Sequence, residues 1–137
     1  MRVAAALEAS QRGCELTVEP VPPGLQVHAD RHVLASAVAN LLQHAFKFTH
    51  PGTHVLLRAL SSKDRVLLEV EDECGGLPPG IAERIFKPFS QAGEDRSGVG
   101  LGLSLSRRGI EAYGGTLHVR DLPGRGCVFT IDLPRTS

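Results

Sequence analysis

VLLRALSSKDRVLLEVED, from Val55 to Asp72, sets two apolar-rich runs around a short polar break. Val55–Leu60 and Val66–Asp72 each have strand length, and Ser61, Ser62, Lys63 and Asp64 separate them. That pattern predicts an antiparallel hairpin. The arrangement recurs downstream, where Thr116–Arg120 and Cys127–Leu133 flank a turn around Pro123 and Gly124. Upstream, Cys14–Glu19 alternates polar residues with Leu16 and Val18, which predicts a strand. A turn cluster over Val21–Gly24 follows, then a second short predicted strand at Leu25–His28.

Helical spacing fills the gaps between these strands. Asp30 is a predicted N-cap, and Val33, Leu34, Ala37, Val38, Leu41, Leu42 and Ala45 then recur on one face. Thr49, His50, Pro51 and Gly52 stop this helix. Leu101, Leu103, Leu105, Ile110 and Tyr113 mark another, ended by Gly114 and Gly115. Ile81–Phe86 has room for a short helix at most, and residues 87–99 read as a mobile loop. Residues 1–9 are alanine-rich and read as the tail of a preceding helix. Paired strands with helices between them predict an α+β fold. It is a two-layer sandwich: a mixed, largely antiparallel sheet with helices on one face, as one domain over 1–137.

Composition narrows the class of function. At 137 residues and 42% hydrophobic content the chain can bury a core. Fifteen basic residues balance fifteen acidic ones, and aromatics are sparse, so neither a basic field nor a stacking platform points to nucleic acid. Apolar runs fall short of a membrane span, and Glu8, Gln11 and Arg12 interrupt any signal-like start. The expectation is a soluble, cytoplasmic domain without membrane contact. Cys14, Cys74 and Cys127 are odd in number and form no CxxC pair. They are expected as reduced thiols rather than a disulfide framework or zinc site.

Three constellations carry chemistry. Asn40, His44 and Lys47 fall at i, i+4 and i+7, one stripe of the first helix, either facing phosphates or simply solvated. Asp72 ends an apolar strand and enters the glycine turn Gly75-Gly76. A carboxylate there can accept from an exocyclic amine, as on adenine, although an ordinary turn has the same appearance. Gly98, Gly100 and Gly102 open the second helix, where free amides and the positive dipole end favour phosphate. The spacing is neither a dinucleotide fingerprint nor a P-loop.

In this order and spacing the motifs resemble those of the catalytic, ATP-binding domain (HATPase_c, GHKL type) of bacterial two-component sensor histidine kinases. Asn40–Thr49 resembles the N box, Asp72–Gly76 the first glycine box, Phe86–Phe89 the F box and Gly98–Leu103 the second glycine box. Gly124–Pro134 is similar to the family's last strand. The likeness spans about Asp30 to Pro134 and implies the Bergerat ATP-binding fold, with ATP and Mg2+ as cofactors. It implies that Asp72 binds the adenine amine and Gly76 lines the base pocket. Lys47 and Phe48 would follow the phosphates, and Gly98, Gly100, Leu101 and Gly102 would cradle the phosphate tail. Residues 87–99 would form a lid anchored by Phe86 and Phe89. Arg96 is a candidate contact to the terminal phosphate, the alternative being a solvated loop charge. Asn40 and Lys47 would serve catalysis, and Asn40 and His44 occupy the metal positions.

Two departures stand out. Cys74 replaces the first glycine of the usual DxGxG pattern. His44 stands where the family has a metal-binding asparagine, and imidazole suits Mg2+ poorly. A weakened metal site, a water-mediated one using Asn40, a direct phosphate contact and a purely structural histidine all remain open. Asn40 stands where hydrolytic relatives carry a glutamate base, and an amide is no base near neutrality. That disfavours a gyrase-like or chaperone-like ATPase. His28, His32, His44, His50, His54 and His118 are none of them followed by Asp or Glu, so the phosphoacceptor is expected elsewhere. The resemblance therefore implies transfer of the ATP γ-phosphate to a histidine on a separate dimerisation domain of a parent kinase. A response regulator would be reached indirectly, and this domain would be monomeric. The alternative is a degenerate nucleotide-sensing or regulatory module with a weakened Mg2+ site.

Overall fold

The computed structural model describes residues 13–50, 52–76, 86 and 102–136. Among these, β1 (Glu15–Val18) is followed by α1 (Arg31–Phe48), β2 (His54–Ser62) and β3 (Arg65–Glu71). Then come α2 (Gly102–Glu111), β4 (Thr116–Leu122) and β5 (Gly126–Pro134). The strands form one sheet in the order β1-β2-β3-β5-β4. β1 runs parallel to β2, and every other neighbouring pair is antiparallel. The mixed, largely antiparallel sheet expected from sequence is the one observed.

The central hairpin is tighter than its polar break suggests. Ser61 and Ser62 still pair, with Val66 and Arg65, so Lys63 and Asp64 alone make the turn. Lys63 takes a left-handed φ of 50°, the conformation that lets a two-residue turn follow the strand twist. Leu25–His28 forms no strand. Val27 alone bridges to Arg135, because the chain must reach the helix cap at Asp30 within three residues. There the Asp30 carboxylate accepts from the amides of His32 (2.8 Å) and Val33 (3.2 Å), satisfying two donors that the first turn leaves open.

Strand alternation separates the two faces. Cys127, Phe129, Ile131 and Leu133 of β5 point to one side and are at most 1% exposed. They meet Leu41, Ala45 and Phe46 of α1 and Leu103 and Ile110 of α2 in the core. Each large side chain so buried contributes roughly 1.5–3 kcal/mol. The intervening residues make a cross-strand ionic ladder on the other side. Arg58 on β2 reaches Glu69 (2.7 Å) and Glu71 (3.2 Å) on β3, and Arg65 reaches Asp132 on β5 (2.6 Å). α1 and α2 pack against each other on the apolar face, and their contact positions the polar side chains between them.

Candidate functional site

Pairing between β3 and β5 runs one residue past the strand end, since the Asp72 amide donates to the Cys127 carbonyl (3.0 Å). This draws the Asp72 side chain inward until it is 1% exposed. Its Oδ1 accepts from the amides of Cys127 (3.1 Å) and Cys74 (3.2 Å), and its Oδ2 from the Cys127 thiol (3.3 Å). Fixed donors of this kind hold a buried carboxylate in one orientation. Gly75 and Gly76 turn the chain with φ of 90° and 108°, a region costly for other residues. Gly126 is required for a different reason. A Cβ there would lie 1.9 Å from the Asp72 carbonyl oxygen, so the two strands touch only because the side chain is missing.

The end of α1 is fastened to this turn. Thr49 Oγ1 accepts from the Glu73 amide (3.1 Å), and the His50 amide donates to the Glu73 carbonyl (3.2 Å). The Glu73 carboxylate in turn accepts from the His54 amide (2.7 Å). Lys47, in the last helical turn and half-buried, lies two residues before this anchor.

Asn40 and His44 are not on a solvated stripe. Asn40 Nδ2 donates to Ser106 Oγ on α2 (2.8 Å), and His44 is only 5% exposed. The His44 ring lies edge-on to Phe129, with centroids 5.0 Å apart. Burial, followed by the nearby Lys47 charge, lowers its pKa from 6.5 to about 4, so the imidazole is neutral near pH 7. Phe86 is buried against the same Phe129, centroids 6.1 Å apart, with the Arg107 guanidinium 5.2 Å from its ring centre. One strand residue therefore joins the N-box helix to the F-box phenylalanine.

Donor chemistry decides how a magnesium ion would fit. The amide of Asn40 supplies an oxygen donor, while His44 offers only imidazole nitrogen inside an aromatic contact. Asn40 fits the metal and His44 does not. Phe48 ends α1, but its side chain lies outside the described residues. Gly102 begins α2, whereas Arg96, Gly98, Gly100 and Leu101 fall outside the described residues, as do Phe89, the 87–99 loop and the short helix expected before Phe86.

Sequence reasoning passed over Ser106, Gly126 and Cys127. Ser106 and Cys127 meet their partners across 66 and 55 residues, separations that no local spacing reveals. The three cysteines form no disulfide with one another, and Cys74 and Cys127 stand together on Asp72. Burial, then the Asp72 charge for Cys127, pushes both thiols to higher pKa. Away from these groups, an apolar cavity of about 300 Å3 lies between the first half of α1 and the β1–β3 side of the sheet. Val18, Leu34, Ala35, Val38 and Leu57 are among its walls. No helix among the described residues is long and apolar enough to cross a membrane.

Known proteins resemble this chain in sequence and in fold. The family described as histidine kinase-, DNA gyrase B-, and HSP90-like ATPase matches residues 29–137. The alginate biosynthesis sensor protein KinB of Pseudomonas aeruginosa is 38% identical over 127 residues, covering 93% of this chain and 21% of that protein. The sensor protein KdpD of Mycobacterium tuberculosis is 40% identical over 107 residues, 77% of this chain and 12% of that protein. This chain thus spans about a fifth or less of those relatives. Among solved structures, full-length ShkA in complex with AMPPNP superposes with a TM-score of 0.84 at 31% identity, over 99% of this chain and 29% of that one. The catalytic domain of histidine kinase ThkA gives 0.84 at 27% identity, over 98% and 87%.

Proposed function

This chain belongs to the histidine kinase-, DNA gyrase B-, and HSP90-like ATPase family as a histidine kinase ATP-binding catalytic domain, and on that premise we propose how its residues serve phosphotransfer. The ATP γ-phosphate passes to a histidine on a dimerisation domain of the parent kinase, and from there to a response regulator. The chain is read as a single cytoplasmic domain, monomeric by itself. One observation carries the reading: a buried carboxylate at Asp72, oriented by two backbone amides, at the mouth of a two-glycine turn. Each carboxylate oxygen has two acceptor sites. Oδ2 can therefore hold the Cys127 thiol and still accept the exocyclic amine of adenine.

The remaining roles follow the family resemblance. Gly76 lines the base pocket. Lys47 lies along the phosphates, as does Phe48, and its charge offsets theirs. Gly98, Gly100, Leu101 and Gly102 present amides to the phosphate tail, and Arg96 meets the terminal phosphate. Asn40, oriented by Ser106, would hold Mg2+ through its amide oxygen, with His44 beside it as a neutral packing group. The bound ion supplies charge neutralisation to the phosphoryl oxygens. Asn40 cannot take a proton from water, so hydrolysis is slow and a presented histidine is the better acceptor. Catalysis rests on positioning and electrostatic complementarity. A degenerate regulatory module is not favoured, since the relatives are named sensor kinases.

Calorimetric titration of ATP, with Mg2+ and then with EDTA, tests the reading. Micromolar binding that requires Mg2+ supports it. Binding indifferent to metal would return the site to the regulatory alternative, and no binding would end the nucleotide assignment.

A further inference from the structure

Asp72, Cys74 and Cys127 place one carboxylate oxygen and two sulfurs within 4.8 Å of one another. Cys127 Sγ stands 3.3 Å from Oδ2 and 3.5 Å from Oδ1 of Asp72. A tetrahedral zinc ion holds a sulfur and an oxygen ligand about 3.5 Å apart and two sulfurs about 3.8 Å apart, from its usual bond lengths. The Cys127–Asp72 separation already matches that geometry, and the Cys74 sulfur, within 4.8 Å of both, has at most about 1 Å to close. The backbone sets these positions: Cys127 lies opposite Asp72 in the strand pairing, and the Cys74 amide is bonded to Asp72 Oδ1. The Cys74 thiol has no task in phosphotransfer, and Cys74 departs from the glycine that its family pattern expects. Cys74 is half-buried and opens the cluster to solvent, while Asp72 and Cys127 form its floor.

We propose that Asp72, Cys74 and Cys127 form a binding site for a thiophilic divalent cation of the zinc type, which excludes nucleotide by occupying Asp72. Two thiolates select soft metals over Mg2+, and three protein ligands leave one position for water. Binding converts two thiols to thiolates and releases two protons to solvent, with no change of oxidation state. The exclusion half rests on Asp72 being the adenine acceptor; the cation site itself does not.

Cobalt(II), a spectroscopic substitute for zinc, is titrated into the metal-free chain. One equivalent is expected to give thiolate-to-cobalt absorption in the near ultraviolet, and zinc is expected to abolish it. Cys74→Ser should lose the band, and Cys14→Ser should keep it. No band, or a band that survives Cys74→Ser, overturns the site. ATP affinity is then measured with and without zinc in the wild type and in Cys74→Ser. Chelation of zinc by ATP is equal in both, so a loss of about tenfold or more confined to the wild type marks exclusion. A cobalt band without any ATP binding sinks the nucleotide reading and leaves the cation site standing. ATP binding without a band does the reverse. Both signals with no competition overturn the exclusion.

Discussion

The two halves of α1 lie on one sheet and are held there by different means. From Arg31 to Val38 the helix roofs an apolar cavity, with Leu34, Ala35 and Val38 facing Val18, Leu57 and Leu68. From Asn40 onward Leu41, Ala45 and Phe46 still fill the core, and directional contacts are added: Asn40 with Ser106, His44 with Phe129, and Thr49 and His50 with Glu73. Burial of apolar surface has no preferred direction and tolerates changes of shape. Hydrogen bonds and backbone contacts weaken within a few tenths of an ångström. The fold keeps its slack at one end and its accuracy at the other, where polar groups must meet a ligand.

The sharpest way to break this contrast is Gly126→Ala. The new Cβ would strike the Asp72 carbonyl. We expect a loss of about 3 kcal/mol, at the upper end for overpacking because backbone must move, in urea denaturation. A near-neutral result would show the site end to be as yielding as the cavity end.

Acid tests the same end next. The folded pKa of His44 is lowered to about 4, so between that value and 6.5 the unfolded chain binds a proton that the folded chain refuses. The stabilisation is complete above about pH 6.5 and is lost as pH falls toward 4, about 3 kcal/mol in all. Urea midpoints at pH 7.5 and 4.5 should differ less in His44→Asn; equal slopes would remove His44 from the account.

Asp72→Asn keeps Oδ1 but turns an amide donor toward the adenine amine. ATP binding should weaken about thirtyfold, near 2 kcal/mol, with little change in melting. His44→Asn should also strengthen Mg2+-dependent ATP binding by about tenfold, because an amide oxygen replaces imidazole. Unchanged affinity would mean that Asn40 alone satisfies the ion.

At the cavity end, Ala35→Val should be neutral or stabilising by up to about 1 kcal/mol. A large loss there would show that the space is needed.

What was legible divides along the same line. Apolar spacing at the helical period identified α1, and apolar-rich runs of strand length around turn residues identified both hairpins. Leu25–His28 was misread since strand length alone does not supply a partner, and Val27 finds only Arg135. The site's motifs were visible as residue types at given intervals, but their surroundings were not. His44 reads as part of a polar stripe, yet it is buried and its ring meets Phe129, distant in sequence. Gly126 and Cys127 read as the start of a strand, and only the β3–β5 register puts them against Asp72.

The edge-on contact of His44 with Phe129 also gives the molecule an internal magnetic probe. With the two ring centroids 5.0 Å apart, circulating π electrons in the phenyl ring shift the resonances of the carbon-bound imidazole protons, and those resonances begin to move with acid only as pH approaches the lowered pKa of about 4. Any displacement of that signal at constant pH reports movement of α1 against the sheet.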